Sequence, residues 1–175
     1  VLAPVEMFED AIAVQFPAVP VEGLEKPYFG HGDAAHSVNV WYWRAGRADS
    51  EAAYALYDMR GSDARAPRDA GPSGFAARGE YKDGTWRVVF RRARNAADGE
   101  TPFESGRLIP VAFANWDGSN GEKGSKHTLT RWVWLRLEPP PSLDIVYVPA
   151  AVVLLLAGGL LGVSARMRRA GTPSG

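Results

Sequence analysis

From Ile145 to Ala165 the chain reads IVYVPAAVVLLLAGGLLGVSA, without a single charge. Asp144 bounds the run on one side, and Arg166, Arg168 and Arg169 bound it on the other. About 20 apolar residues in a helix cross the hydrocarbon core of a bilayer. A surface helix of a soluble protein would show a polar face; this run shows none. The expectation is one C-terminal transmembrane helix over 145–165, with 166–175 as a cytoplasmic tail, because basic residues flanking a span stay inside. Residues 1–138 must then supply the folded domain on the other side of the membrane, periplasmic in a bacterium or on the outer face of an archaeon. Pro139 to Pro141 open a stiff linker over 139–144.

Within 1–138 the apolar residues come in short runs bounded by turn residues. Ala11–Phe16, Ser37–Arg44, Gly79–Arg91, Leu108–Trp116 and Thr128–Leu137 are rich in Val, Trp, Tyr and Phe. Asp83-Gly84 between apolar flanks marks a two-residue hairpin turn. In SVNVWYW, Val38, Val40 and Tyr42 alternate with Asn39, Trp41 and Trp43, so each set takes one face of a strand. Between Ala45 and Gly74 the composition turns to Ala, Arg, Asp, Gly and Pro without a clear period. That stretch reads as an excursion, with Ala52–Met59 as a turn or two of helix. The fold class expected is all-β, an antiparallel β-sandwich with the one membrane helix appended.

Several chemistries are excluded. The chain has no cysteine, hence no disulfide, no thiolate metal site, no Fe–S ligation and no covalent haem attachment. Setting aside the three tail arginines leaves 17 basic against 20 acidic residues, which argues against nucleic acid. The first residue is Val1 with no basic, apolar leader after it, as in a processed or truncated chain. Asp117-Gly-Ser-Asn-Gly-Glu has the look of a calcium loop, but Gly121 stands where an oxygen ligand is needed and no Glu follows at the twelfth position. No phosphate loop, HExxH or Ser–His–carboxylate set is present.

Five segments in order carry a resemblance: AIAVQFP at Ala11–Pro17, EKPYF and HGD between Glu25 and Asp33, VNVWYWRA at Val38–Ala45, GTWRVVFRRA at Gly84–Ala93, and IPVAFANWDGSNGEKGSKHTLTRW at Ile109–Trp132. Together they resemble the haem b (gamma) subunits of type II dimethyl sulfoxide reductase-family enzymes, the ethylbenzene dehydrogenase-type haem-binding domain. The likeness covers roughly residues 8 to 138. It implies a β-sandwich holding one haem b, which relays electrons to or from an Fe–S subunit and a molybdenum catalytic subunit and is not itself catalytic. The family's iron takes a methionine and a lysine. The lysine follows the WDGSNGE loop and maps to Lys126, with Lys123 as fallback. The methionine position before Gly-Asp holds His31, which implies His/Lys ligation or a ligand recruited from Met7 or Met59. The membrane helix is a further departure from soluble members of the family.

The residue chemistry is compatible with that assignment. Imidazole is a common haem donor; a lysine can bind iron only as the neutral amine. Trp41, Trp43, Phe113 and Trp116 are candidates to wall the macrocycle, or else ordinary sandwich core. His127 competes with Lys126, because neighbours on a strand point to opposite faces. Two axial ligands fill the iron's sphere and suit outer-sphere electron transfer. Gly158, Gly159 and Gly162 permit close packing against other membrane or cytochrome subunits. The competing readings are a membrane-tethered binding module and a haem-free structural anchor.

Overall fold

A computed structural model of the chain describes residues 6–21, 25–47, 53–70, 74–94, 99–139 and 142–170. The chain divides into two compact units, Val1–Glu138 and Pro139–Gly175. In the first unit the strands are β1 (Ala11–Pro17), β2 (Val38–Arg44), β3 (Tyr54–Met59), β4 (Arg65–Arg68), β5 (Ala76–Lys82), β6 (Thr85–Arg91), β7 (Leu108–Trp116), β8 (Thr128–Leu129) and β9 (Val133–Arg136). One antiparallel sheet runs in the order β4-β3-β2-β1-β7-β8, with β9 also paired to β7. β5 and β6 form a separate hairpin, closed by Asp83 and Gly84, both at positive φ. That is the conformation an Asp-Gly pair adopts readily. The all-β class and the strand runs expected from the sequence are thus observed.

Two differences have physical causes. The Ala45–Gly74 excursion opens with a 3-10 turn at Ala45–Arg47 and contributes β3 and β4, so that Tyr54–Met59 is strand and not helix; Ala52 itself lies outside the described residues. Ala55, Tyr57 and Met59 pair with Tyr42, Val40 and Val38, so a partner strand imposes the period that the composition hides. The Thr128–Leu137 run is broken between β8 and β9. There Thr130 exchanges bonds with Phe113, the Phe113 amide donating to Thr130 Oγ1 and the Thr130 amide to the Phe113 carbonyl, each at 2.9 Å.

Register sorts the side chains onto two faces. On one, Ala13 lies between Tyr42 and Ala114, and Gln15 between Val40 and Ala112. On the other, Val14 lies between Trp41 and Phe113. This second face meets the β5–β6 hairpin. Trp43, 1 % exposed, lies over Gly79 with its ring 5.0 Å from that of Trp86. Trp41 sits among Phe16, Phe75, Phe90 and Phe103 at 4.7 to 6.2 Å. Rings in such offset and edge-on contacts make a dense apolar layer.

The second unit holds α1 (Asp144–Ala170). Its Val146–Met167 stretch, 22 residues of mean hydropathy 2.3, is roughly 33 Å long at 1.5 Å per residue, enough for the ~30 Å hydrocarbon core. The helix continues past Ala165 through the arginines. Asp144 at its start suits the positive end of the helix dipole.

Candidate functional site

The face of the sheet away from the hairpin carries a cavity of about 490 Å³. Val40, Tyr42, Tyr57, Met59 and Trp116 give it apolar walls, His31 and His127 bring two imidazoles, and Arg44, Arg65 and Asp63 bring two positive charges and one negative. On this face β1 carries the small, buried Ala11 and Ala13. The rings of Tyr42 and Trp116, from the strands on either side, meet across it edge-on at 5.3 Å. Clefts of about 410 Å³ beside Pro17 and Trp134, and about 600 Å³ beside Ala18 and Arg60, are lined by no histidine, methionine or lysine.

His31 arrives on a tight turn. The Asp33 carboxylate accepts from the backbone amides of Tyr28, Ala35 and His36 at 2.9 to 3.0 Å, and these bonds hold its pKa below the ordinary carboxylate value, the Tyr28 bond foremost. Gly32 stands at φ +82° with the His36 and Met59 carbonyls within 3.0 Å of where a Cβ would be, so only glycine fits there. The Gly61 amide donates to the His31 carbonyl at 2.8 Å and pins the turn to the end of β3. His31 itself takes φ 73° and is 8 % exposed. Burial lowers its pKa, and the neighbouring His127 lowers it further.

The protonation pattern of His31 follows from its neighbour. Gln15, buried on β1, donates through its side-chain nitrogen to the Phe29 carbonyl. Its Oε1 therefore faces His31 Nδ1, 3.2 Å away, and an oxygen can only accept. Nδ1 carries the proton and Nε2 keeps its lone pair.

The Gly-rich loop delivers the second imidazole. Asp117 Oδ1 accepts from the Ser119 hydroxyl at 2.6 Å and from the Ser119 and Asn120 amides, and the Ser119 hydroxyl is the main reason its pKa lies below the usual value. A Cβ on Gly118 would lie 1.9 Å from the Phe8 carbonyl oxygen, so that position too requires glycine. Asp10 ties the loop down: Oδ1 accepts from the Gly118 amide and Oδ2 from Trp86 Nε1, each at 2.9 Å. Beyond the loop, the Gly124 carbonyl accepts from Trp116 Nε1 at 2.9 Å and faces His127 Nδ1 at 3.1 Å. His127 stacks on Trp116 at 4.6 Å, and its ring lies 5.3 Å from that of His31.

The structure brings His31 and Trp116 of the expected set to this cavity; it does not bring Trp41, Trp43, Phe113 or the Lys126 amine. Trp41 and Trp43 share the parity of Asn39 and lie under the hairpin. Phe113 has opposite parity to Trp116 on β7 and is 40 % exposed on that other face. Lys126 Nζ donates to the Asn120 carbonyl at 2.7 Å in an exposed position. Lys123 Nζ sits over the Phe8 ring, 4.1 Å from its centre. Met7 is exposed, whereas Met59 lines the cavity. Tyr42, Tyr57 and the two arginines were not singled out by the sequence; the alternation that puts Tyr42 with Val40 was their only signal.

Residues 65–128 match the ethylbenzene dehydrogenase family. The chain is 32 % identical over 155 residues to a protein of Haloferax mediterranei named as a respiratory nitrate reductase haem subunit, covering 86 % of this chain and 52 % of the relative. It is 33 % identical over 138 residues to the chlorate reductase subunit gamma of Ideonella dechloratans, covering 78 % and 54 %. With the dimethylsulfide dehydrogenase subunit gamma of Rhodovulum sulfidophilum it shares 31 % over 140 residues, covering 77 % and 50 %. The chain spans about half the length of the curated relatives it matches. With its sandwich sheet, its Gly-rich WDGSNGE loop and these relatives, the chain belongs to the ethylbenzene dehydrogenase-type family of gamma-subunit domains that its motifs resemble.

Proposed function

We propose that this chain is a haem b electron-transfer subunit of a membrane-associated molybdenum oxidoreductase, and not itself a catalyst. The observation that carries the reading is the cavity lined by His31 and His127, in which apolar walls and two imidazole donors share one space. The donor set fits the group. Haem needs a flat apolar slot and axial donors, and a buried histidine with its other nitrogen anchored on a protein acceptor is the usual form of a metal ligand. Arg44 and Arg65 on the cavity wall suit a ligand with carboxylates. With no cysteine in this chain, the haem would be held without thioether bonds, in keeping with type b. Bound haem supplies a one-electron redox centre.

His31 would be one donor to the iron, and the segment that follows the Gly-rich loop would provide a second. Trp116, Tyr42 and Tyr57 shield the site from water, and Gln15 keeps the lone pair of His31 Nε2 available. In this reading the electron partner is an Fe–S subunit beside a molybdenum catalytic subunit; the relatives are named as subunits of two reductases and a dehydrogenase, which supports partner subunits in general. α1 anchors the chain with Arg166, Arg168 and Arg169 in the cytoplasm and the domain outside, by the positive-inside bias. The domain boundaries in this reading are 1–138 for the haem domain, 139–144 for the linker, 145–165 for the membrane helix and 166–175 for the tail.

The test is a reduced-minus-oxidised spectrum of the purified full chain loaded with haem b, with His31→Ala beside it. The wild type is expected to give a narrow low-spin b-type α-band, which His31→Ala loses or shifts. A wild type that takes up no haem would overturn the reading in favour of a binding module or an anchor.

A further inference from the structure

Resting on the haem reading above, we infer that the second axial ligand is the imidazole of His127, so that this chain holds its iron between two histidines.

Four observations converge. The two rings line one cavity, with centres 5.3 Å apart and planes at 36°. Each ring has its Nδ1 against a protein oxygen, Gln15 Oε1 for His31 and the Gly124 carbonyl for His127. Both rings are therefore Nδ1–H tautomers with a free lone pair on Nε2. His127 is also fixed in orientation: it stacks on Trp116, whose indole N–H shares the same Gly124 carbonyl. A single backbone oxygen thus aligns a cavity wall and a donor. Finally, the competing amine is elsewhere, since Lys126 Nζ is exposed and bonded to the Asn120 carbonyl.

A lysine ligand would have to swing out of its present bond to the Asn120 carbonyl, whereas the His127 ring already lines the cavity. Met59, buried on the cavity wall, is the remaining donor in reach, and the test includes it.

The experiment uses the full chain in detergent, loaded with haem b, and compares ferric electron paramagnetic resonance and near-infrared charge-transfer spectra. His127→Ala is expected to turn the low-spin centre high-spin and to let the ferrous form bind carbon monoxide. Added imidazole should restore the low-spin spectrum in His127→Gly. Lys126→Ala is expected to keep the wild-type spectra. His127→Met guards against a folding defect: it should stay low-spin, move the near-infrared band toward that of a sulfur ligand, and raise the midpoint potential. A Lys126→Ala or Met59→Leu protein that turns high-spin while His127→Ala stays low-spin would overturn the inference. Such a result leaves the wild type haem-loaded, and so differs from failure of the haem reading itself, in which the wild type takes up no haem.

Discussion

The two faces of the seven-stranded sheet are built from the same strands and do opposite things. Under the hairpin, aromatic rings fill the space: Trp41 and Trp43 against Phe75, Phe90 and Trp86, with Arg92 buried beside Glu100 at 3.5 Å. Across the sheet, the rings of Tyr42, Tyr57 and Trp116 stand around an open cavity, and the histidines that reach it are held by specific partners. The difference teaches that aromatic content alone does not mark a site: on one face the rings close on one another, and on the other they leave space between them. The heaviest side chains of β2, Trp41 and Trp43, lie on the closed face.

Mutations can break or sharpen that contrast. The largest effect is expected from Trp43→Ala, which removes a nearly fully buried ring from the hairpin face. A loss of about 3–5 kcal/mol is typical of such truncations, and denaturant unfolding of the solubilised chain would measure it. The folded fraction should keep its haem spectrum, and a spectrum lost at unchanged stability would put Trp43 at the site after all. Trp116→Phe acts on the opposite face. It keeps the stack on His127 but deletes the bond to the Gly124 carbonyl, at a cost of about 1 kcal/mol. Its α-band should broaden as the His127 ring loses its alignment. If band and stability both stay at wild-type values, the shared carbonyl does not position the ring.

The smallest effect concerns acid. Asp117 has its pKa lowered mainly by the Ser119 hydroxyl. Its bonds therefore support the loop above the ordinary carboxylate value, and the support is lost as pH falls through the lowered folded value. Ser119→Ala should move the Asp117 titration upward, seen by carboxyl nuclear magnetic resonance, and shift acid unfolding of the loop to higher pH. An unmoved titration would mean that the backbone amides alone set it.

Much of this was legible in the residues. The Asp83-Gly84 turn and the runs of β1, β2 and β7 follow from local chemistry. So does the parity that parts Phe113 from Trp116. β3 and β4 were not, because Arg65-Ala-Pro-Arg68 carries no strand signal until β3 lies beside it. His31 could be picked out by the motif around it. What no local rule supplies is which face of β2 the hairpin covers, and that decides whether Trp41 and Trp43 or Val40 and Tyr42 meet a ligand. Nor does a local rule say where the side chains after Gly124 go: His127 faces the Gly124 carbonyl at the cavity, and Lys126 the Asn120 carbonyl away from it.

The sheet order has a kinetic consequence. β1 sits between β2 and β7, and roughly 90 residues separate the end of β1 from the start of β7. While the chain is being made, β1 can pair with β2 early but keeps its other edge bare until β7 emerges. Closing so long a loop adds entropy that only the last contacts repay. A bare strand edge in that interval invites pairing with another chain. Assembly of this domain is therefore expected to be slow and sensitive to concentration, and the side chains that become the cofactor's floor are among the last to find their neighbours.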